Sequence, residues 1–205
     1  MEIFTLTRQD LLASNCHIII SGDYFSVVDP SVSYFTACST VTGLPALTPR
    51  FIILTHGHID HFWEIDSYIS LGMKVLVSSQ DGEKLSDPHL NCGAFIHGPI
   101  TEFCGESTPI SEGQSIDLGA DTLSVLHTPG HTSGSVSLVG KGALISGDTI
   151  FAGGGYGRYD LPSGNSSELI LSIKRLVMLP DDLTVYSGHG ENGRLGTLKK
   201  YFRFI

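Results

Sequence analysis

The apolar positions of this chain fall mostly into short runs bounded by Gly, Pro, Asp and Ser, the pattern of strands joined by tight turns. Residues 1–6 alternate well enough for a first strand. Residues 16–21 and 24–29, rich in β-branched and aromatic side chains, read as a hairpin turned at Ser21-Gly22-Asp23 and closed by Asp29-Pro30. The segment 32–41 suggests a helix, against the β-branched and Ser/Thr content that lowers its propensity. Phe51-Ile52-Ile53-Leu54 is an unbroken apolar run, as in a buried strand. Helical spacing follows over 61–71 (Phe62, Ile65, Ile69), with Gly72 placed to end it, and 74–78 forms another buried strand. That succession is a βαβ unit. A short helix is expected at 81–85, an irregular stretch at 87–98, and short strands and turns over 101–138, punctuated by Gly113, Gly119 and Gly130. Residues 143–145 form a strand ending at Gly147-Asp148, and Gly153-Gly154-Gly155 is a loop. An amphipathic helix over 166–178 carries Leu169, Ile173, Leu176 and Val177 on one face. A last strand at 183–186 and a terminal helix at 193–202 complete the chain. No repeat, low-complexity tract or linker divides it, so one α/β domain over 1–205 is expected.

Composition narrows the function classes. The chain has 205 residues, 41% hydrophobic and 16% charged, with a net charge of −9. A nucleic-acid surface needs a basic stripe, which this balance argues against. No apolar run approaches the roughly 18 residues of a membrane span. Cys16, Cys38, Cys92 and Cys104 form no CxxC pair, and the first residues lack a basic and apolar signal pattern. Reduced thiols in the cytoplasm are the expectation.

The chemistry concentrates in Thr55-His56-Gly57-His58-Ile59-Asp60-His61, directly after the run 51–54. Three imidazoles and a carboxylate so close together compete for hydrogen-bond donors, and packing alone does not resolve that conflict. A divalent metal does, because neutral imidazole and carboxylate both ligate zinc, iron or manganese. On a tight loop His56 and His58 can face one way and Asp60 and His61 another, which suits two adjacent cations. Three more polar residues sit where strands give way to Gly-rich turns. His131 lies in Pro129-Gly130-His131-Thr132-Ser133-Gly134, Asp148 in Gly147-Asp148-Thr149 and His189 in Ser187-Gly188-His189-Gly190. Each alone is weak; together they follow one rule, a strand end that delivers a ligand.

This ordered set, His-x-His-x-Asp-His followed by a distant His, Asp and His, resembles the metallo-β-lactamase fold superfamily over nearly the whole chain. The resemblance implies a four-layer αβ/βα sandwich, two mostly β layers with helices on both outer faces. It further implies that His56, His58 and His131 hold one metal, that Asp60, His61 and His189 hold a second, and that Asp148 bridges them. The segments Gly147–Phe151, Gly157-Arg158-Tyr159-Asp160-Leu161-Pro162 and Ser187–Gly190, with Leu85-Ser86-Asp87-Pro88 and Asn91, are similar to those of the glyoxalase II-like hydrolases. Two departures stand out. Glyoxalase II continues past its last His into a helical domain, whereas 16 residues follow His189 here, and Asp160 stands where that family has a Tyr contact to glutathione.

The activity so implied is cleavage of a small-molecule thioester by a hydroxide shared between two cations, zinc by default and iron or manganese as alternatives. Asp60 would be both ligand and catalytic acceptor orienting that hydroxide. A thiolate leaves readily, so a thioester asks little of a general acid. The cysteines fit buried small residues better than nucleophiles. Thr55, Thr132 and Ser133 lie near enough to fix imidazole tautomers. Phe62 and Trp63 fit the core, and Tyr156, Arg158 and Tyr159 the substrate wall. The competing reading is a persulfide dioxygenase-like oxidoreductase with one iron on His56, His131 and Asp148. The flavodiiron branch wants a carboxylate where His58 stands.

Overall fold

The computed structural model describes residues 1–95 and 102–203. Two six-stranded sheets form in chain order. The first runs β1 (Glu2–Thr7), β2 (Asn15–Ser21), β3 (Tyr24–Val28), β4 (Thr48–Ile53), β5 (Lys74–Ser78), β6 (Ser107–Ile110). The second contains β7 (Ser115–Asp117), β8 (Thr122–His127), β9 (Val136–Gly140), β10 (Ala143–Gly147), β11 (Thr184–Ser187) and β12 (Gly193–Arg194), adjacent in that order. The hairpin β2–β3 is antiparallel, with His17 opposite Val28. β3, β4, β5 and β6 are parallel neighbours, and so are β10 and β11.

The unbroken apolar runs have the physical cause expected of them, because both faces of the central strands are covered. On β4, Ile52 faces one core and Ile53 the other; on β3, Val27 and Val28 divide the same way. The cluster between the sheets unites Ile19, Val28, Ile53 and Leu76 with Leu123, Val125, Leu138 and Ile145. On the outer face of the first sheet lie α1 (Tyr34–Thr40) and α2 (Ile65–Ile69), contributing Ala37, Ile65 and Tyr68. On the outer face of the second lie α4 (Ser166–Val177) and α5 (Leu195–Leu198). The result is the four-layer sandwich.

Helix α4 shows how locally this is encoded. Asn165 caps it, its Oδ1 accepting from the backbone N–H groups of Ser167 at 3.0 Å and Glu168 at 3.2 Å. Lys174 and Arg175 occupy the last turn, at the negative end of the helix dipole. Leu169, Ile173 and Leu176 are buried, each such side chain contributing roughly 1.5–3 kcal/mol.

Two expected helices are shorter than their apolar spacing suggests. In place of a helix over 61–71 there is a 3-10 turn at Ile59–His61 and then α2, only Ile65–Ile69. The Glu64 N–H donates to the Pro30 carbonyl at 2.9 Å, which bends the chain between them, and the His61 ring is held inward. At the end of the chain Gly193 and Arg194 pair with β11 as β12, so helix begins at Leu195 and passes into a 3-10 turn at Lys199–Phe202. The short helix expected at 81–85 is α3 (Ser79–Gly82) running into a 3-10 turn at Glu83–Ser86. The irregular stretch expected at 87–98 contains a 3-10 turn at Gly93–Phe95; its residues 96–98, and Thr101 of the following segment, lie outside the described residues.

Candidate metal centre

The parallel strands β3, β4, β5 and β10, β11 all run toward the same edge, and the polar residues follow where each strand stops. β4 ends at Ile53, and Thr55, His56, His58 and His61 then turn inward, all buried. His131 sits between β8 and β9, Asp148 directly after β10, and His189 two residues after β11. The His189 loop is fastened to the first sheet. Asn15 Nδ2 donates to the carbonyls of Ser187 (2.9 Å) and Gly190 (2.8 Å), and the Asn15 N–H donates to Gly188 O at 2.7 Å. Ser14 Oγ donates to the Asp60 carbonyl at 2.8 Å, so one strand start holds both loops.

Seven residues expected at the centre are brought together. One ligand atom each from His56, His58 and His131 lie within 4.8 Å of one another, as do those of Asp60, His61 and His189. Asp148 reaches both triads, with Oδ1 3.5 Å from His61 Nε2 and Oδ2 3.5 Å from Nε2 of both His131 and His189.

Hydrogen bonds fix which nitrogens carry lone pairs. His61 Nδ1 faces Asp29 Oδ2 at 2.9 Å and His131 Nδ1 faces the Arg158 carbonyl at 2.6 Å, so each Nδ1 donates and each Nε2 is free to ligate. Thr55 Oγ1 gives its proton to Asp29 Oδ2 at 2.6 Å, and His56 Nδ1, 3.1 Å away, therefore donates to that hydroxyl. The freed Nε2 atoms of His56 and His131 then point at each other at 3.2 Å, and that of His61 lies 3.4 Å from His189 Nε2. Lone pairs aimed at lone pairs are repulsive unless a cation or proton lies between them. His58 Nε2 and Asp148 Oδ1 are likewise buried without a hydrogen-bond partner. The donor set fits divalent metal.

Electrostatics agree. Burial, reinforced by neighbouring imidazoles, pushes His56 far down and His58 down to about 3. Burial opposes charge on His61 and His189 too, but there Asp60 and Asp148 prevail, raising them to about 9 and about 11. The same imidazoles hold Asp60 and Asp148 below the usual carboxylate range in spite of burial. The carboxylates thus draw positive charge to the centre, as protons on His61 and His189 or as a bound cation in their place.

Above it opens a cleft of about 650 Å³, with His58, Asp60, His131, Asp148 and His189 at its floor. Leu12, Phe95, Phe151, Tyr156 and Leu161 supply an apolar wall, and Arg158 the one Lys or Arg head group among the described lining residues. The Arg158 head group already has a partner: its Nε donates to Asp160 Oδ1 at 2.9 Å and its Nη2 to Oδ2 at 2.8 Å. Gly157 lets this segment come close, since a Cβ there would stand 2.4 Å from the Asp148 carbonyl and 2.6 Å from His131 Nδ1. Of the three wall residues expected, Tyr156 and Arg158 line the cleft. Tyr159 is not among the lining residues, although it is exposed to about the same extent as Tyr156 (46% and 43%). Phe62 is in the core, and Trp63 packs beside it under the Arg8 guanidinium.

Two carboxylates at the centre escaped the sequence reading. Asp29, taken there for a turn residue, is fully buried and serves Thr55 and His61; its oxygens also accept from the Thr55 N–H at 2.8 Å. It follows the strand Tyr24–Val28, so the strand-end rule that found the other ligands applies to it too. Asp81, fully buried, binds Thr132 Oγ1 at 2.6 Å, so that Thr132 meets His131 through the loop and not through its ring.

Hydroxyacylglutathione hydrolase of Photobacterium profundum is 33% identical over 189 residues, covering 90% of this chain and 66% of that protein. Among solved structures, BLEG-1 B3 metallo-beta-lactamase superposes with a TM-score of 0.87 at 29% identity, over 99% of both chains. TTHA1623 in a di-iron-bound form gives 0.84 at 29% identity, over 98% of this chain and 100% of that one. The profile of the family matches residues 10–189, from before the second strand to the last of the seven ligand candidates, and on that span the chain belongs to the metallo-beta-lactamase superfamily.

Proposed function

We propose that this chain is a metal-dependent thioesterase of glyoxalase II type, holding two cations, zinc by default. The observation that carries the reading is the Asp148 carboxylate, which lies 3.5 Å from His131 of one triad and 3.5 Å from both His61 and His189 of the other. Cations bound there would act as Lewis acids on the substrate carbonyl and lower the pKa of water from about 15.7 toward 7.

The chain's own residues do the rest. The apolar wall of Tyr156, Phe151 and Leu161 seats the substrate and sheds water from it. Asp60, ionised and partly open to the cleft, accepts a hydrogen bond from the attacking water and aims it at the carbonyl carbon. Attack forms the new C–O bond, collapse of the tetrahedral adduct breaks the C–S bond, the water's proton passes by way of Asp60 to solvent, and the thiolate leaves with little need of an acid. Cys92 lines the cleft but burial pushes its thiol up to about 11, so it does not compete as a nucleophile. The 33% identity to a hydroxyacylglutathione hydrolase supports the thioester class.

The test is metal analysis of the purified protein beside hydrolysis of an acyl thioester. The reading expects about two first-row ions per chain and thiol release that a chelator abolishes. One iron per chain, with oxygen consumed in the presence of a persulfide and no thioester cleavage, would replace it with the oxygenase. Faster turnover of a β-lactam than of any thioester would move the substrate class instead.

A further inference from the structure

One buried ion pair beside the centre has no part in the chemistry above. Asp81 on α3 is fully buried, and so, very nearly, is its partner Lys84, whose Nζ bonds Asp81 Oδ1. A charge so far from water is costly unless every lone pair is answered, and here they are. Asp81 Oδ2 accepts from the Gly57 N–H at 2.8 Å and from Thr132 Oγ1 at 2.6 Å. Oδ1 accepts from the Gly134 N–H at 3.0 Å, and Lys84 Nζ also reaches Ser133 Oγ at 3.1 Å.

The donors come from two loops far apart in sequence. Gly57 stands between His56 and His58; Thr132, Ser133 and Gly134 follow His131. Both loops meet the carboxylate through glycine; a side chain would be tight at Gly57 and has no space at Gly134. A Cβ on Gly57 would lie 3.1 Å from the Asp81 carbonyl, and one on Gly134 would lie 2.4 Å from Asp81 Oδ1. None of these bonds goes to Asp60, His61 or His189, which hang instead from Asp29, Ser14 and Asn15.

We infer that Asp81, neutralised by Lys84, is a positioning residue that sets the spacing between the His56–His58 loop and the His131 loop, and so tunes the cation affinity of that triad alone. The inference rests on the ligand reading proposed above. A carboxylate suits the role because each oxygen can accept two bonds in a fixed plane. An amide cannot replace it: an Asn NH₂ would face either the Gly57 and Thr132 donors or Gly134 and Lys84, and in either orientation one backbone anchor, Gly57 N–H or Gly134 N–H, loses its acceptor.

The experiment is stepwise metal titration of the stripped protein against a chromogenic chelator, with cobalt spectra of the loaded forms. Asp81→Asn should weaken one of the two binding steps about 10-fold or more, within the range known for residues that support metal ligands, and leave the other within about twofold. Thr132→Val, which keeps the ion pair and removes only the hydroxyl, should give a smaller loss at the same step and decides the matter should Asp81→Asn not fold. Site assignment uses two backgrounds. With His189→Ala the remaining cation should be weakened by Asp81→Asn and its cobalt spectrum altered; with His58→Ala the remaining cation should be indifferent. Equal loss at both steps, or no loss at either, overturns the inference and leaves the ligand reading standing. A wild-type chain that retains no cation overturns both.

Discussion

Asp29 Oδ2 stands 2.9 Å from Nδ1 of His61, both side chains fully shielded from water. Through Thr55 the same oxygen also governs His56, so one carboxylate orients an imidazole in each triad. Asp29 adopts a left-handed backbone (φ 52°), which Asn tolerates well. Asp29→Asn should therefore fold, yet supply one acceptor oxygen where three donors need two. A loss of roughly 10–100-fold in metal affinity or turnover is expected, with a small change in Tm. Near-normal affinity would show that the ring orientations are set by packing.

Asp148→Ala should abolish turnover and weaken the retention of both cations, since one side chain faces both triads. Cys92→Ala, in the same cleft, should leave the rate per folded molecule nearly unchanged. Activity per metal-loaded chain measures both. A collapse of rate in the cysteine variant with metal intact would reveal a missed nucleophile.

The Arg158–Asp160 pair makes a two-sided prediction. Arg158→Ala should raise KM for a thioester with a carboxylate on its thiol carrier by about 10-fold, with kcat little changed, because such a grip acts equally on ground and transition states. Asp160→Asn should lower KM for that same substrate, since it releases the guanidinium from a bidentate partner. A neutral thioester should feel neither change. Equal effects on both substrates would mean that the segment only supports His131 through the Arg158 carbonyl.

His17 carries a pH signature that does not involve the cleft. Buried completely, chiefly by desolvation its pKa falls to about 4, from 6.5 unfolded. Below pH 6.5 the unfolded chain takes up a proton that the folded chain refuses until about pH 4, so stability is full above 6.5 and drains away as pH falls between those values. The loss amounts to about 3 kcal/mol at pH 4. In urea unfolding of the metal-stripped protein, wild type should lose that much more than His17→Gln between pH 7 and 4. Parallel pH curves for the two chains would sink the assignment.

The ligand candidates were legible because each is a local event, a strand end followed by Gly and a polar residue. The strands were legible because burial on both faces leaves unbroken apolar runs such as Phe51–Leu54. Asp29 and Asp81 were not, for opposite reasons. Asp29 before a Pro has an ordinary local reading as a turn residue, and its real partners lie 26 and 32 residues away. Asp81 was assigned to a short helix, where a charge is presumed exposed; only the fold buries it beside Lys84. Helix α2 was overestimated because periodicity does not register the Glu64–Pro30 bond that bends its start. Sequence order alone does not say which residues of the irregular segment 156–159 line the cleft, and Tyr159 is not one of them.

Each sheet is continuous in sequence, the first complete by Ile110 and the second beginning at Ser115. Each triad, however, draws two members from before that seam and one from after it: His56 and His58 with His131, Asp60 and His61 with His189. Neither half of the chain possesses a whole binding site. Whatever free energy a cation releases on entering therefore acts as a rivet between halves, pulling the edges of the sandwich together. Stripping metal should be felt first as loosening across that seam, while the interior of each half stays as it was.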